Sequence, residues 1–314
     1  MNDKSIRNLS PDFSISPGTQ VVLTEHQRCG DAQKKAGSVG VVIKASPDNI
    51  EPYLVRFADE SEWSIDFKVL AMRRREIEDQ LASQHDPDSL REHIIYKCQV
   101  GSHAFGLASE NSDTDVRGIF LPPARLHWSM YKLPEQIEFK NESDDEVFWE
   151  LEKFIKLALK ANPNILETLW TPKVIASSKI ADRLRESRQA FLSNHVYKTY
   201  SGYVLSQFRR MKNSVESKGT YKPKHAMHLI RLLHSGIGAL RTGEIMIDVS
   251  QHRDQLLTIK SGALKFEEVR KLALELDKQF QTAFENTQLP DQPDFETVNN
   301  ILIEARQHMA EQKS

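Results

Sequence analysis

The chain has 314 residues, of which 39% are hydrophobic and 27% are charged, and its formal net charge is −2 at pH 7. This length suits one large domain or two to three smaller ones, and the balanced charge excludes a strongly basic nucleic-acid-binding protein but not a local basic surface. The sequence shows no apolar run long enough to span a membrane, no signal-peptide pattern and no Cys-x-x-Cys pair. We therefore expect a soluble cytoplasmic protein with no membrane contact.

Residues 1–75 are predicted to form a small β-barrel. Short β-rich runs separated by turn residues occupy positions 20–24, 41–44, 53–57 and 62–65. A Gly-x-x-Gly-x-Val strand followed by a Tyr-x-Val-x-Phe strand resembles SH3-like barrels, which implies a protein or nucleic-acid partner for this region. Residues 76–90 are predicted to be a linker, and the preceding triplet Arg73-Arg74-Arg75 is interpreted as solvated surface rather than as a nucleic-acid contact.

Residues 91–175 carry the pattern that is most informative about chemistry. Gly101 and Ser102 form a turn after an apolar strand, and Asp113 and Asp115 open the next strand. Glycine lets backbone N–H groups approach a polyphosphate, and side chains two residues apart on a strand share one face. Two carboxylates on one face suit a Mg²⁺ ion that bridges triphosphate oxygens. An Asx-rich turn is the alternative for the aspartates, but the nearby Gly-Ser turn favours a nucleotidyl-transfer site.

Residues 176–314 are predicted to be helical, because apolar residues recur there at i, i+3 and i+4. On the helix predicted over residues 223–242, the side chains of Lys224, His228 and Arg231 fall at i, i+4 and i+7 and share a face. Such a basic stripe suits contact with a triphosphate or with an RNA backbone. A solvated face with internal salt bridges is the alternative.

The central and C-terminal patterns resemble the DNA polymerase β-like nucleotidyltransferase superfamily. Within it, the chain is similar to the RlaP-type family, which is named for bacterial RNA-repair gene neighbourhoods. The matching motifs are Gly101-Ser102 with Asp113-x-Asp115, then Trp149-Glu150-Leu151, Asn162-Pro163 and Lys224-x-Ala226-Met227-His228. The resemblance covers roughly residues 93–305. It implies an α+β fold in which a small mixed sheet is flanked by helices, with an appended helical C-terminal domain.

The resemblance also implies which residues act. Three carboxylates would hold two Mg²⁺ ions, with Mn²⁺ as an alternative ion. The catalytic and metal-binding candidates are Asp113, Asp115 and Glu150, with Glu138 as the rival of Glu150. The candidate nucleotide-binding residues are Gly101, Ser102, Arg117, Lys224, His228 and Arg231. Arg117 would either contact a phosphate or pair with a carboxylate.

The activity that the resemblance implies is transfer of a nucleoside monophosphate from a nucleoside triphosphate to a hydroxyl acceptor. RNA is the acceptor in the leading hypothesis, which corresponds to RNA repair or end modification. A protein or a small molecule is the alternative acceptor. A non-catalytic scaffold that binds a nucleotide or RNA is the alternative to an enzyme.

Overall fold

The computed structural model of the chain describes residues 14–30, 32–46, 51–73, 85–109, 112–140 and 144–311. The chain divides into two compact units, one with residues 1–86 and 129–133 and the other with residues 87–128 and 134–314. Most of the linker predicted over residues 76–90 lies outside the described residues, as do Arg74 and Arg75. The second unit contains both the predicted transferase core and the predicted helical domain.

The first unit contains a five-stranded antiparallel sheet and a separate hairpin. The strands are β1 (Gln20–Leu23), β2 (Gln27–Cys29), β3 (Ala32–Lys34), β4 (Val39–Lys44), β5 (Tyr53–Phe57), β6 (Glu62–Ile65) and β7 (Leu70–Met72). The sheet has the order β6-β5-β4-β1-β7, and β2 pairs with β3. The buried Tyr53 hydroxyl accepts a hydrogen bond from the Ile15 N–H and lies 3.0 Å from the Ser46 carbonyl oxygen. The sheet is compatible with a small barrel; its SH3-like closure stays a prediction.

The second unit is built on a mixed five-stranded sheet. Its strands are β8 (Ile94–Val100), β9 (Thr114–Phe120), β10 (Gln136–Lys140), β11 (Asp144–Glu150) and β12 (Val174–Ser177). They lie in the order β10-β11-β9-β8-β12. The β9–β11 pair is parallel, and the other neighbouring pairs are antiparallel. This mixed sheet with flanking helices confirms the predicted α+β class.

Helices pack around this sheet and form most of the C-terminal part. They are α1 (Gly101–Ala104), α2 (Ala124–His127), α3 (Leu151–Leu159), α4 (Pro163–Trp170), α5 (Lys179–Glu186), α6 (His195–Lys218), α7 (Pro223–Thr242), α8 (Arg253–Lys260), α9 (Phe266–Glu285) and α10 (Phe295–Glu311). Asn162 caps α4, because its side chain accepts from the N–H groups of Asn164 and Ile165. Among the helices that the structure describes, none combines the length and apolar character needed to cross a lipid bilayer.

One continuous hydrophobic core joins the sheet to the C-terminal helices. Helix α4 contributes buried side chains from Ile165 to Trp170, and its Thr168 carbonyl oxygen accepts a hydrogen bond from the fully buried Tyr96 hydroxyl at 2.9 Å. Helix α7 packs against both α6 and α9. Helices α4 and α7 therefore share one hydrophobic core with the sheet.

Candidate active site

Gly101 lies directly against the carboxylate of Asp115. Strand β8 runs antiparallel to β9, and their register pairs Val100, the last residue of β8, with Asp115. Gly101 follows with a φ angle of 69° and begins α1 together with Ser102. A Cβ atom on Gly101 would come within 2.1 Å of Asp115 Oδ2, so a side chain there would displace the carboxylate. The structure therefore brings the Gly-Ser turn and the acidic strand into contact.

The carboxylate of Asp145 lies beside that of Asp115. Strand β11 runs parallel to β9, and Asp145 is the direct partner of Asp115, so the two side chains share a face. Arg117 lies on the same face, and its Nη2 is 3.4 Å from Asp115 Oδ1 and 3.3 Å from Asp145 Oδ2. Its Nη1 donates to the carbonyl oxygens of Val116 and Asp145 at 2.8 and 2.6 Å. Arg117 therefore pairs with carboxylates here, and its contact with a phosphate stays a prediction.

Glu150 lies at the other end of the sheet, so the prediction that it joins the two aspartates is wrong. In β11 it pairs with Phe120, five residues beyond the aspartate pair, which is about 16 Å at the rise of a parallel strand. The odd number of residues also turns its side chain to the opposite face. Its Oε2 accepts from the N–H groups of Glu152 and Lys153 at 2.8 and 3.1 Å and caps α3. Burial raises the pKa of the Glu150 carboxyl group.

Glu138, the rival of Glu150, is not brought to the aspartates either. It lies on the edge strand β10 and pairs with Val147 of β11, so a whole strand separates it from β9. Strand spacing and rise put its Cα about 12 Å from that of Asp115. Its exposed carboxylate accepts from Gln136 Nε2 at 2.5 Å and lies 3.6 Å from Lys140 Nζ. These contacts are typical of a solvated edge strand.

Asp113 lies directly before β9, two residues before Asp115 in the sequence, and its side chain is exposed to solvent. His103 of α1 holds this loop, because its Nε2 lies 3.1 Å from the carbonyl oxygen of Ser112. The Ser112 hydroxyl in turn accepts from the Ser109 N–H at 2.8 Å. His103 therefore links the Gly-Ser turn to the backbone next to Asp113.

The basic stripe of α7 runs from the surface into the core. Lys224 is exposed, His228 is half-buried, and Arg231 is buried with 4% exposure. Arg231 Nη1 donates to the buried Glu167 Oε1 at 2.5 Å, and its guanidinium carbon lies 3.9 Å from the centre of the Phe105 ring. The prediction that Arg231 binds the nucleotide is therefore wrong, since its charge is used in a buried ion pair. Arg231 instead packs on Phe105, which follows the Gly-Ser turn and helix α1 in the sequence.

His228 is uncharged at neutral pH. Burial, and then the neighbouring cations of Arg231 and Lys224, lower its pKa to about 4. A neutral imidazole attracts phosphate far less than a cation does, and the contact of His228 with a nucleotide stays a prediction. Lys224 keeps an exposed ammonium group, and its contact with a nucleotide stays a prediction.

Asp113, Asp115 and Asp145 offer the type of ligand atom that a magnesium site needs. Carboxylate oxygens are the ligands that Mg²⁺ prefers, and Asp145 Oδ1 is buried without a hydrogen-bond partner, which a cation would satisfy. In the part of the chain that the structure describes, no three acidic, histidine or cysteine side chains converge enough to hold a metal ion. Arg117 holds Asp115 and Asp145. A metal ion would therefore have to displace Arg117 from these carboxylates.

Comparison with known proteins decides the family. Residues 72–304 match the RNA repair pathway DNA polymerase beta family, RlaP. The chain belongs to this family. The match confirms the resemblance predicted from the sequence, and its range includes every residue of the candidate site described above.

Several proteins are similar to this RlaP family member. An uncharacterised 38.9 kDa protein of Enterobacteria phage T4 is 32% identical over 36% of this chain and 37% of its own length. An uncharacterised protein of Methanocaldococcus jannaschii is 27% identical over 51% of this chain and 65% of its own. The chain thus matches less than two thirds of either relative. A crystal structure of a nucleotidyltransferase-like protein from Exiguobacterium sibiricum covers 75% of this chain and 72% of that chain, with 14% identity and a TM-score of 0.23.

Asp145 is the candidate site residue of this RlaP family member that the sequence analysis missed. In the sequence it comes shortly after the turn-forming residues Asn141, Glu142 and Ser143, whereas β11 already begins at Asp144. Alternation extended back from Trp149 through Val147 would have reached Asp145 on the same face. The signal was present, but turn-forming residues obscured the start of the strand.

Proposed function

We propose that this protein is a Mg²⁺-dependent nucleotidyltransferase that transfers a nucleoside monophosphate from a nucleoside triphosphate to a hydroxyl group of RNA. One observation carries the proposal: Asp115 and Asp145 are direct neighbours on parallel strands, and Gly101 lies against the first of them. A phosphate-binding turn next to paired carboxylates is the arrangement that metal-assisted phosphoryl transfer requires. Membership of an RNA repair pathway family supports RNA as the acceptor.

In this proposal Asp113, Asp115 and Asp145 hold the metal ions, and Gly101 and Ser102 bind the β- and γ-phosphates. Bound Mg²⁺ would neutralise triphosphate charge and lower the pKa of the acceptor hydroxyl group. The hydroxyl oxygen forms a bond to the α-phosphorus while the bond to the pyrophosphate oxygen breaks. The hydroxyl proton passes to a carboxylate oxygen of these aspartates that holds no metal ion.

The direct test is a transfer assay with each α-³²P-labelled nucleoside triphosphate, Mg²⁺ and a mixed RNA pool. We expect label on RNA, no label after chelation of Mg²⁺, and a loss of at least 10²- to 10³-fold in Asp113→Asn and Asp145→Asn, by comparison with removal of other charge-stabilising groups. Asp144→Asn is the matched control. It removes the same charge one residue away, from a side chain that points to the opposite face.

The outcomes separate the competing functions. Label on the protein or on a small acceptor would retain the transfer chemistry and replace RNA as the acceptor. Binding of nucleoside triphosphate without transfer to any acceptor would indicate a nucleotide-binding scaffold and would refute the proposal of an enzyme.

A further inference from the structure

A basic cavity lies where α6 ends and α7 begins, and none of the three aspartates lines it. Its volume is about 250 Å³, and the basic residues that line it are Arg210, Lys218, Lys222 and His225. The polar side chains of Asn213, Ser214 and Ser217 complete the wall. Met211 is the one apolar residue of this wall, and none of the residues that line the cavity is acidic, so its charges suit an anion.

The charge around this cavity is not neutralised by neighbouring acids. Residues 209–225 contain six Lys or Arg residues and a single acidic residue, Glu216, in a chain whose net charge is −2. Glu216 pairs with Lys212 at 3.7 Å. Among the described residues, Arg210, Lys218 and Lys222 are exposed and form no ion pair with an acid. Burial, followed by the positive charges of Lys222, Arg210 and Lys224, lowers the pKa of His225.

The backbone that carries the cavity is well anchored. The hydroxyl group of Tyr221, in the turn between the two helices, donates to the Leu264 carbonyl oxygen at 2.5 Å. The rings of Tyr221 and Phe208 both pack against Phe266, with centroid distances of 6.1 and 6.0 Å. These contacts fix the backbone from which the cations extend, which lowers the entropic cost of binding a ligand there.

The cavity is connected to the candidate active site through α7. Arg231, whose guanidinium group packs on Phe105 beside the Gly-Ser turn, lies six residues after His225 and nine after Lys222. These separations correspond to about 9 and 14 Å along a helix. The volume of the cavity is below the roughly 300–1,000 Å³ of pockets that enclose small molecules. An open basic cavity of this size suits the phosphates of a strand that passes over it better than it suits an enclosed nucleotide.

We propose that Arg210, Lys218 and Lys222 bind the phosphodiester backbone of the RNA acceptor. The inference rests on the proposed function for the identity of the strand, but it concerns a surface that the transfer chemistry does not use. Phosphate contacts of this kind position a strand without reading its sequence. The cavity would therefore set where the acceptor lies and leave base selectivity to other residues.

The test is fluorescence anisotropy with a 5′-labelled single-stranded RNA 20-mer of mixed sequence, without nucleoside triphosphate, at several salt concentrations. Each lost phosphate contact on a single strand reduces the slope of log K against log salt by about 0.7. The double variant Arg210→Ala/Lys222→Ala should therefore reduce the slope by about 1.4 and weaken binding about 25-fold at 0.1 M salt. The charge-preserving Arg210→Lys should keep the slope of the unmodified protein.

The matched control is Lys179→Ala/Lys278→Ala, which removes two exposed cations from α5 and α9 that do not line the cavity. This control should leave both affinity and slope unchanged. Equal weakening by the two double variants would refute the proposal, as would an unmodified protein that does not bind the RNA. Circular dichroism of both double variants shows whether they fold.

Two further arms identify the phosphate source and separate this inference from the proposed function. If the cavity variant loses affinity for MgATP and retains affinity for RNA, the cavity binds the triphosphate and the proposal fails. If the unmodified protein transfers no label but its RNA affinity depends on the cavity, the proposed function fails and the RNA site stands. If the protein transfers label to RNA but its RNA affinity does not depend on the cavity, the proposed function stands and the RNA site fails.

Discussion

Two isosteric substitutions in the same strand, Asp145→Asn and Glu150→Gln, test the assignment of the third carboxylate. Each removes one negative charge, and the two positions are five residues apart in β11. A carboxylate that ligates a divalent ion lies within about 4 Å of it, whereas Glu150 is about 16 Å from the aspartates by strand rise. Coulomb attraction falls fourfold over this range, and a Debye length of about 8 Å at physiological ionic strength removes most of the remainder.

We therefore expect Asp145→Asn to weaken binding of Mn²⁺ at least about 100-fold, because loss of an outer-shell partner of a metal ligand already costs 10- to 100-fold. Glu150→Gln should change the affinity by less than twofold, and its amide oxygen should still cap α3. Electron paramagnetic resonance of free Mn²⁺, titrated with each protein in the presence of ATP, measures both values without knowledge of the acceptor. An equal or larger loss in Glu150→Gln would refute the geometry argued above.

The remaining predictions concern single contacts. Gly101→Ala should weaken Mn²⁺ binding in the same titration, because its Cβ would meet a carboxylate oxygen at 2.1 Å. Gly219 has the same φ of 69°, and a Cβ there would meet no atom within 4 Å, so Gly219→Ala should leave Mn²⁺ binding unchanged. Arg231→Met should lower the free energy of unfolding in urea by about 3–5 kcal/mol, because it leaves Glu167 buried without its cation. Adding Glu167→Gln should recover much of this loss. An unchanged urea midpoint for Arg231→Met would contradict a buried ion pair. The pKa of His228 is about 4 in the folded chain, so as the pH falls the unfolded chain takes up the proton first. The free energy of unfolding, which is highest above pH 6.5, should therefore fall by up to about 3 kcal/mol between pH 6.5 and pH 4. His228→Gln should lack this part of the pH dependence.

The turn at Gly101 and the acidic strand could be predicted from the sequence because both depend on local rules. Glycine at a positive φ and the two-residue alternation of a strand are properties of a few neighbouring residues. The strand that the aspartates were predicted to open is observed over Thr114–Phe120, so alternation along it gives the face on which Asp115 lies. The α+β class followed in the same way from the local patterns of strands and helices.

The third carboxylate could not be predicted in this way, because it depends on the register between β9 and β11. A difference of two residues in the start of β11 decides whether Asp145 belongs to a turn or to the strand. Register is fixed by tertiary packing of apolar side chains such as Val147 and Trp149, both of which are buried. Family resemblance suggested an acid in this strand, but it pointed to Glu150 at the wrong end.

The burial of Arg231 shows the same limit for a helix. The spacing of Lys224, His228 and Arg231 correctly places them on one face of α7, but spacing does not tell which part of that face another element covers. Helix α4 supplies Glu167, which lies 64 residues earlier in the chain and pairs with Arg231 in the core. A stripe that looks uniform in the sequence is therefore exposed at one end and structural at the other.

Arg117 explains how Asp115 and Asp145 can lie side by side. Two like charges on neighbouring strands, about 5 Å apart, repel by about 3 kcal/mol at an effective dielectric constant of 20. The Nη2 atom of Arg117 lies 3.4 and 3.3 Å from the two carboxylates and offsets this repulsion. A divalent cation at the same oxygens would compete directly with Arg117 and would free its guanidinium group on the face where a triphosphate has to bind. In the proposed function, Arg117 would therefore pair with carboxylates before the metal ion binds and would contact a phosphate afterwards.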